Sequence, residues 1–245
     1  MYDHFMRSEY GYVESAAKYW TSYNDFKDQL NKKAQEIFGK DYKQVLKDSN
    51  QALDVQIQLA AQYAETHAAT DENTKILEGA SEVYTPTIGE VLYAYMAYKM
   101  ADGKVKLDKM GLTEDKIDML VRMIPQQYID FAEWIQDEFL PERRKAYNKT
   151  HLEVFGTQMA QVENYVPLRV KKDFVYEEFD GSKVDTPQLP SSITGSIIKR
   201  KRNSLPIDLH TNVFDLMLDH GQQMEHWNAY TRIVRDTNQF LSNTK

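Results

Sequence analysis

The chain has 245 residues, with 30 Lys and Arg against 37 Asp and Glu, a net charge of −7 and no cysteine. The acidic balance argues against a surface coated in nucleic acid, and the missing thiols exclude disulfides and thiolate metal sites within these residues. Hydrophobic content of 42% supports a real core, while only 10 Gly and 7 Pro favour long helices over a turn-dense β architecture.

The segment Met1 to Arg7 has neither the basic nor the apolar region of a secretion signal. No apolar run approaches the ~18 residues of a membrane span. The chain therefore reads as soluble and intracellular. From Tyr10 to Phe38, Val13, Ala16, Ala17, Trp20, Leu30, Ala34 and Ile37 recur mostly at three- and four-residue steps, which predicts an amphipathic helix stopped at Gly39. Asp41 is placed to cap a second helix carrying Tyr42, Val45, Leu46, Leu53, Ile57 and Ala60 on one side. Two helices joined at a glycine are expected to pack as an antiparallel pair.

His67 to Thr74 is polar and loosens the chain. Thr87-Ile88-Gly89-Glu90 then reads as a capping box, preceded by Pro86, and opens a helix whose buried face is Ile88, Leu92, Tyr95 and Met96. Asp102-Gly103 is expected to end that helix in a turn. Thr113 caps the next one, with Glu114 and Asp115 in its first turn, and Pro125 breaks it near Ile124. A long helical segment follows through Tyr128, Phe131, Ala132, Ile135, Phe139 and Leu140. Pro141 predicts a kink in it, and Gly156 closes it after Phe155.

The character changes at Val162. Tyr165 to Val170 and Phe174 to Tyr176 are short, β-branched or aromatic and close to alternating, so extended segments or a small hairpin are expected near 165–180. Asp180-Gly181-Ser182 reads as a turn, and Thr186 to Pro190 as irregular. A final helix runs from Asn212 to Leu241 and presents Val213, Phe214, Met217, Leu218, Trp227, Ala229, Tyr230, Ile233 and Phe240 to a partner. It lacks a stop signal, so the chain reads as part of something longer. The fold expected is a mainly α, multi-helix bundle with a small extended or hairpin segment. Its regions are a helical hairpin at 1–70, a central helical region at 71–160, an irregular segment with a basic hinge at 161–206, and a C-terminal helix at 207–245.

Between Ser191 and Pro206 there is no acid, and the run ends in Lys199, Arg200, Lys201 and Arg202. Four consecutive cations suit phosphates, giving salt-dependent, sequence-blind affinity, or an acidic protein partner. The densest ionisable cluster is Asp215, Asp219, His220, Glu225 and His226. On a helix the two histidines point about 120° apart, and Asp219 lies roughly 10 Å along the axis from His226. Only Asp215 and Asp219 have chelating spacing, so they are weak metal candidates and no metal or cofactor is expected. A hydrolase or transferase using Asp215, Asp219 and His226 is the enzymatic alternative, and none of these residues is assigned a catalytic role. Asp102 to Asp108 is no calcium loop, since lysines stand where oxygen ligands are needed. The 16 Tyr and 10 Met read mostly as core and interface.

Three strings carry a resemblance: Thr87-Ile88-Gly89-Glu90-Val91-Leu92-Tyr93-Ala94-Tyr95-Met96, Val162-Glu163-Asn164-Tyr165-Val166-Pro167-Leu168, and Ile193 to Arg200 together with Gln223-Met224-Glu225-His226-Trp227. Together they resemble a segment of the large polyvalent proteins of Bacteroidetes phages and mobile elements, including crAss-like phages, over roughly Glu78 to Leu241. Where that family commonly has Asn-Tyr-Phe-Pro, this chain has Asn164-Tyr165-Val166-Pro167. The resemblance implies a helical scaffold within a virion protein delivered to the host cytoplasm with the genome. It implies contacts with other virion or polyvalent-protein segments and carries over no catalytic residues. The alternatives are DNA contact through the basic hinge, or a domain of an enzyme whose active site lies elsewhere.

Overall fold

The computed structural model describes residues 2–59, 82–169 and 207–243. The chain is mainly helical with one small antiparallel pair of strands, as expected. In order come α1 (Tyr2–Phe38), α2 (Tyr42–Ser49), β1 (Ile57–Leu59), β2 (Glu82–Tyr84), α3 (Ile88–Lys99), α4 (Ala101–Lys109), α5 (Glu114–Val121), α6 (Gln126–Trp134), a π-helical turn (Ile135–Phe139), α7 (Leu140–Phe155) and α8 (Val213–Asn243).

The local signals are used as read. Gly39 takes φ 64° after α1, and Gly156 takes φ 70° after α7, the left-handed conformation that glycine reaches without a Cβ penalty. Asp41 accepts from the Gln44 amide at 2.7 Å. At α3, the Glu90 amide donates to Thr87 Oγ1 at 3.4 Å and the Thr87 amide donates to Glu90 Oε2 at 2.8 Å, closing the capping box. Thr113 stands at the N-cap of α5 but makes no side-chain cap bond. Pro125 separates α5 from α6.

Longer-range packing changes three expectations. The second helix stops at Ser49, and Ile57 belongs instead to β1, paired with Tyr84 of β2. Asp102 and Gly103 form no turn; the break falls at Met100, and α4 runs through both. Gly103 is glycine because a Cβ there would collide with the Ala97 carbonyl. On α1 the buried line is Tyr19, Phe26, Leu30 and Ala34, so Val13 and Trp20 are 67% and 58% exposed rather than core-facing. Of the 165–180 segment, residues 165–169 carry neither helix nor strand, and 170–180 lie outside the described residues.

Pro141 does not sharply break its segment. A proline lacks the N–H that would bond to the carbonyl four residues earlier and clashes with that carbonyl. Here the five-residue π turn ends at Phe139, just before Leu140 and Pro141, and α6 passes through it into α7 without a gap.

One hydrophobic core gathers Phe26 and Leu30 of α1, Tyr42 and Val45 of α2, Ile57 and Leu59 of β1, and most of α3. Phe131 of α6, Phe139 of the π turn, and Val213, Phe214 and Met217 of α8 complete it. Rings interlock there: Phe131 lies 5.7 Å from Phe214 and 6.0 Å from Tyr42, whose hydroxyl donates to the Phe214 carbonyl at 2.8 Å. α3 is buried nearly all round, as a central helix should be. α1 and α8 run antiparallel, since Tyr12 meets Tyr230, Tyr19 meets His226 and Phe26 faces Gly221. α7 runs parallel to α8, pairing Tyr147 with Glu225 and Thr150 with Asn228.

Candidate functional site

Two polar centres gather the residues that sequence patterns singled out. The first holds the stretch from Asn164 to Arg169 against the core. Asn164, at φ 51°, donates through Nδ2 to the Lys99 carbonyl at 3.1 Å. Its own carbonyl accepts from Gln136 Nε2 at 2.6 Å, and the same amide donates to the Met96 carbonyl at 2.9 Å. Gln136 therefore joins the π turn, the C-terminus of α3 and this stretch. Val166 is fully buried behind it.

Arg169 ends the stretch. Its amide donates to the buried Tyr93 hydroxyl at 2.8 Å, its carbonyl accepts from the Asp208 amide at 2.8 Å, and its guanidinium pairs with Asp219. Burial raises the Tyr93 hydroxyl pKa well above its ordinary value, so the group stays protonated. Nearby, Asn212 precedes α8, accepts from the Phe214 amide at 2.9 Å and donates to Ser49 Oγ at 2.8 Å. Its side chain occupies the space that a Cβ on Gly89 would need, which explains the glycine inside the capping box.

The second centre lies between α1, α7 and α8. Glu225 is 1% exposed; it accepts from the Tyr147 hydroxyl at 2.7 Å and pairs with Arg143 at 3.5 Å. Arg143 also pairs with Asp25 at 2.7 Å and lies 5.3 Å and 5.5 Å from the Phe26 and Phe139 ring centres. One turn on, Thr150 donates to Asn228 Oδ1 at 2.5 Å, and Lys18 donates to the Asn228 carbonyl at 3.2 Å. Burial pushes the Tyr147 hydroxyl pKa far up, with the adjacent Glu225 carboxylate adding to it.

The ionisable cluster on α8 is dispersed among separate partners. Asp215 is exposed, Asp219 is engaged by Arg169, and Glu225 by Tyr147 and Arg143. His220 is 8% exposed beside Tyr165, and burial pushes its pKa down to about 4. His226 stacks on Tyr230 at 4.5 Å and meets the edge of Tyr19 at 5.6 Å; burial lowers its pKa too. The two histidines thus face different surroundings, as the helical spacing requires. Among the described residues no group of three His, Cys, Asp or Glu is placed to hold a metal ion. Asp219, one of the two weak metal candidates, is taken up by a cation instead.

A general acid or base must reach substrate within hydrogen-bond distance. Asp215 is exposed, Asp219 is paired with Arg169 and His226 packs on Tyr19 and Tyr230, so these three answer to different neighbours and do not form a reacting constellation. Lys199, Arg200, Lys201 and Arg202 lie outside the described residues. Sequence reasoning missed Gln136, Arg143, Tyr147 and Asn228. The signal available for the last two was a polar residue at an inward helical position, beside Thr150 and between Trp227 and Ala229.

No protein-family model, curated protein or solved structure matches the chain. No helix among the described residues is long and apolar enough to cross a membrane.

Proposed function

We propose that this chain is a non-enzymatic helical scaffold module of a polyvalent protein from a Bacteroidetes phage or mobile element, carried in the virion and delivered to the host cytoplasm with the genome. The observation that supports it best is the use made of the motif residues. Thr87 and Glu90 close a helix, and Gly89 seats Asn212. Asn164 and Val166 dock a stretch of chain, while Glu225 and Trp227 sit in the seam beside α7. Each has a structural partner inside the fold. The partners of the module are neighbouring virion or polyvalent-protein segments, met through packed helices. Mass spectrometry of gradient-purified particles of the encoding element tests this: peptides from α3 and α8 are expected in the particle band, and their recovery only from the particle-free lysate overturns it.

A second reading is a nucleic-acid-binding module centred on Lys199, Arg200, Lys201 and Arg202. It is favoured by four adjacent cations in a segment whose flanks are fixed by the Asp208 amide on the Arg169 carbonyl. Four phosphate contacts give a salt slope of about −3.6 on duplex DNA. Replacing all four by alanine then removes that slope; weak, salt-insensitive binding by the unaltered chain excludes this reading.

A further inference from the structure

The two ends of the α1–α8 pair are built from different material. Around Phe26, Leu30, Phe214 and Met217 the packing is apolar and continuous with the main core. Beyond Phe26 it changes. The separate apolar cluster there consists only of Tyr147, Met224 and Trp227, with Met159 against it. Of the ten buried polar residues among those described, six lie in this end: Ser15, Thr150, His151, Glu225, Asn228 and Thr231. Three buried groups there, Arg144 Nε, Trp227 Nε1 and Thr237 Oγ1, find no hydrogen-bond partner within the protein. A seam of this kind gains less from burial than the main core and relies in part on hydrogen bonds that water can replace.

Two helical irregularities fall at the boundary. α8 carries Gly221 in mid-helix, where glycine weakens the helix by about 1 kcal/mol relative to alanine. The α6–α7 rod carries its π turn, followed by Pro141. Phe26 connects them: its ring fills the space a Cβ on Gly221 would need and meets Phe139 of the π turn edge-on at 4.9 Å. Both weakened helices thus bend their sequence rules around one ring, where the dry core gives way to the polar seam.

We propose that the end formed by α1 residues 11–23, α7 residues 143–155 and α8 residues 224–239 opens as one cooperative unit about Gly221 and the π turn, while the main core stays folded. Opening frees the faces of three helices for contact with other chains without unfolding α3 or the first two turns of α8. The inference rests on the packing alone and stands apart from the scaffold reading.

Hydrogen–deuterium exchange of the full chain, followed by mass spectrometry, tests it. Mid-helix peptides around Tyr19, Tyr147 to Thr150, and Glu225 to Asn228 are expected to share one exchange rate. That rate should be at least tenfold above peptides in α3 and at Val213 to Met217. Replacing the polar layer with Thr150→Val and Asn228→Leu together should slow the shared rate about tenfold and leave the core peptides unchanged. A graded increase toward the helix ends means simple fraying, and one common rate for both ends means a single unit; either result overturns the proposal. The unaltered chain suffices for that decision if the double variant fails to fold.

Discussion

The Asp208 amide donates to the Arg169 carbonyl at 2.8 Å, so the described residues on either side of 170–206 meet at one point. From there Ile207, Leu209, Val213, Phe214 and Met217 run directly into the core. Cutting the chain inside 170–206 should therefore leave two fragments bound to each other. With a protease site inserted between Thr186 and Pro190, both pieces should co-elute in size-exclusion chromatography after cleavage; separate elution contradicts the packing described.

Gln136 donates to two carbonyls, those of Met96 and Asn164, from a position 2% exposed. Gln136→Leu leaves both acceptors in a buried place without their donor. Stranding such groups costs about 1–3 kcal/mol. Urea unfolding should show a loss in that range, whereas a change within a few tenths would mean the stretch docks through Val166 alone.

Gly103 lies inside α4, where alanine favours a helix by about 1 kcal/mol. The collision of its Cβ with the Ala97 carbonyl outweighs that preference, because a backbone atom cannot move aside as a flexible side chain can. Gly103→Ala is predicted to lower stability by about 1–3 kcal/mol, the usual cost of forcing an extra group into a filled space. An increase in melting temperature would show that α3 and α4 can separate at Met100 without loss.

His220 gives stability a pH dependence of known sign. The unfolded imidazole takes up its proton near its ordinary pKa of 6.5, the buried one only near 4. The unfolded state therefore binds more protons between those values, and stability falls as pH drops from about 6.5 to 4, then levels. The swing is about 3 kcal/mol. Comparing chemical unfolding of the unaltered chain with His220→Leu across this window should isolate it; parallel curves would contradict burial of a neutral ring.

What could be read from sequence was what depends on neighbours along the chain. Asp41, the Thr87–Glu90 box, Gly39, Gly156 and Pro125 act within a few residues, and each marks an element boundary as expected. Ile57 was legible only as the next step of a helical pattern, because its true partner, Tyr84, is remote in sequence. Gly103 has the look of a turn residue, yet its reason is a carbonyl on another helix. Val13 and Trp20 fit an apolar stripe, but α8 meets α1 along Tyr19 and Phe26 instead. At the candidate site, helix geometry separated His220 from His226 correctly. The carboxylates of Asp219 and Glu225 were ambiguous because their partners, Arg169 and Arg143, come from distant segments.

Glu225 offers the sharpest decision between a structural and a reactive role. Reactive groups are commonly held at the expense of stability, so replacing one tends to stabilise a fold. A carboxylate that receives Tyr147 and Arg143 in a buried seam does the opposite when neutralised. Urea unfolding of Glu225→Gln is predicted to show a loss of about 1–3 kcal/mol; a midpoint equal to or above that of the unaltered chain would contradict the structural assignment.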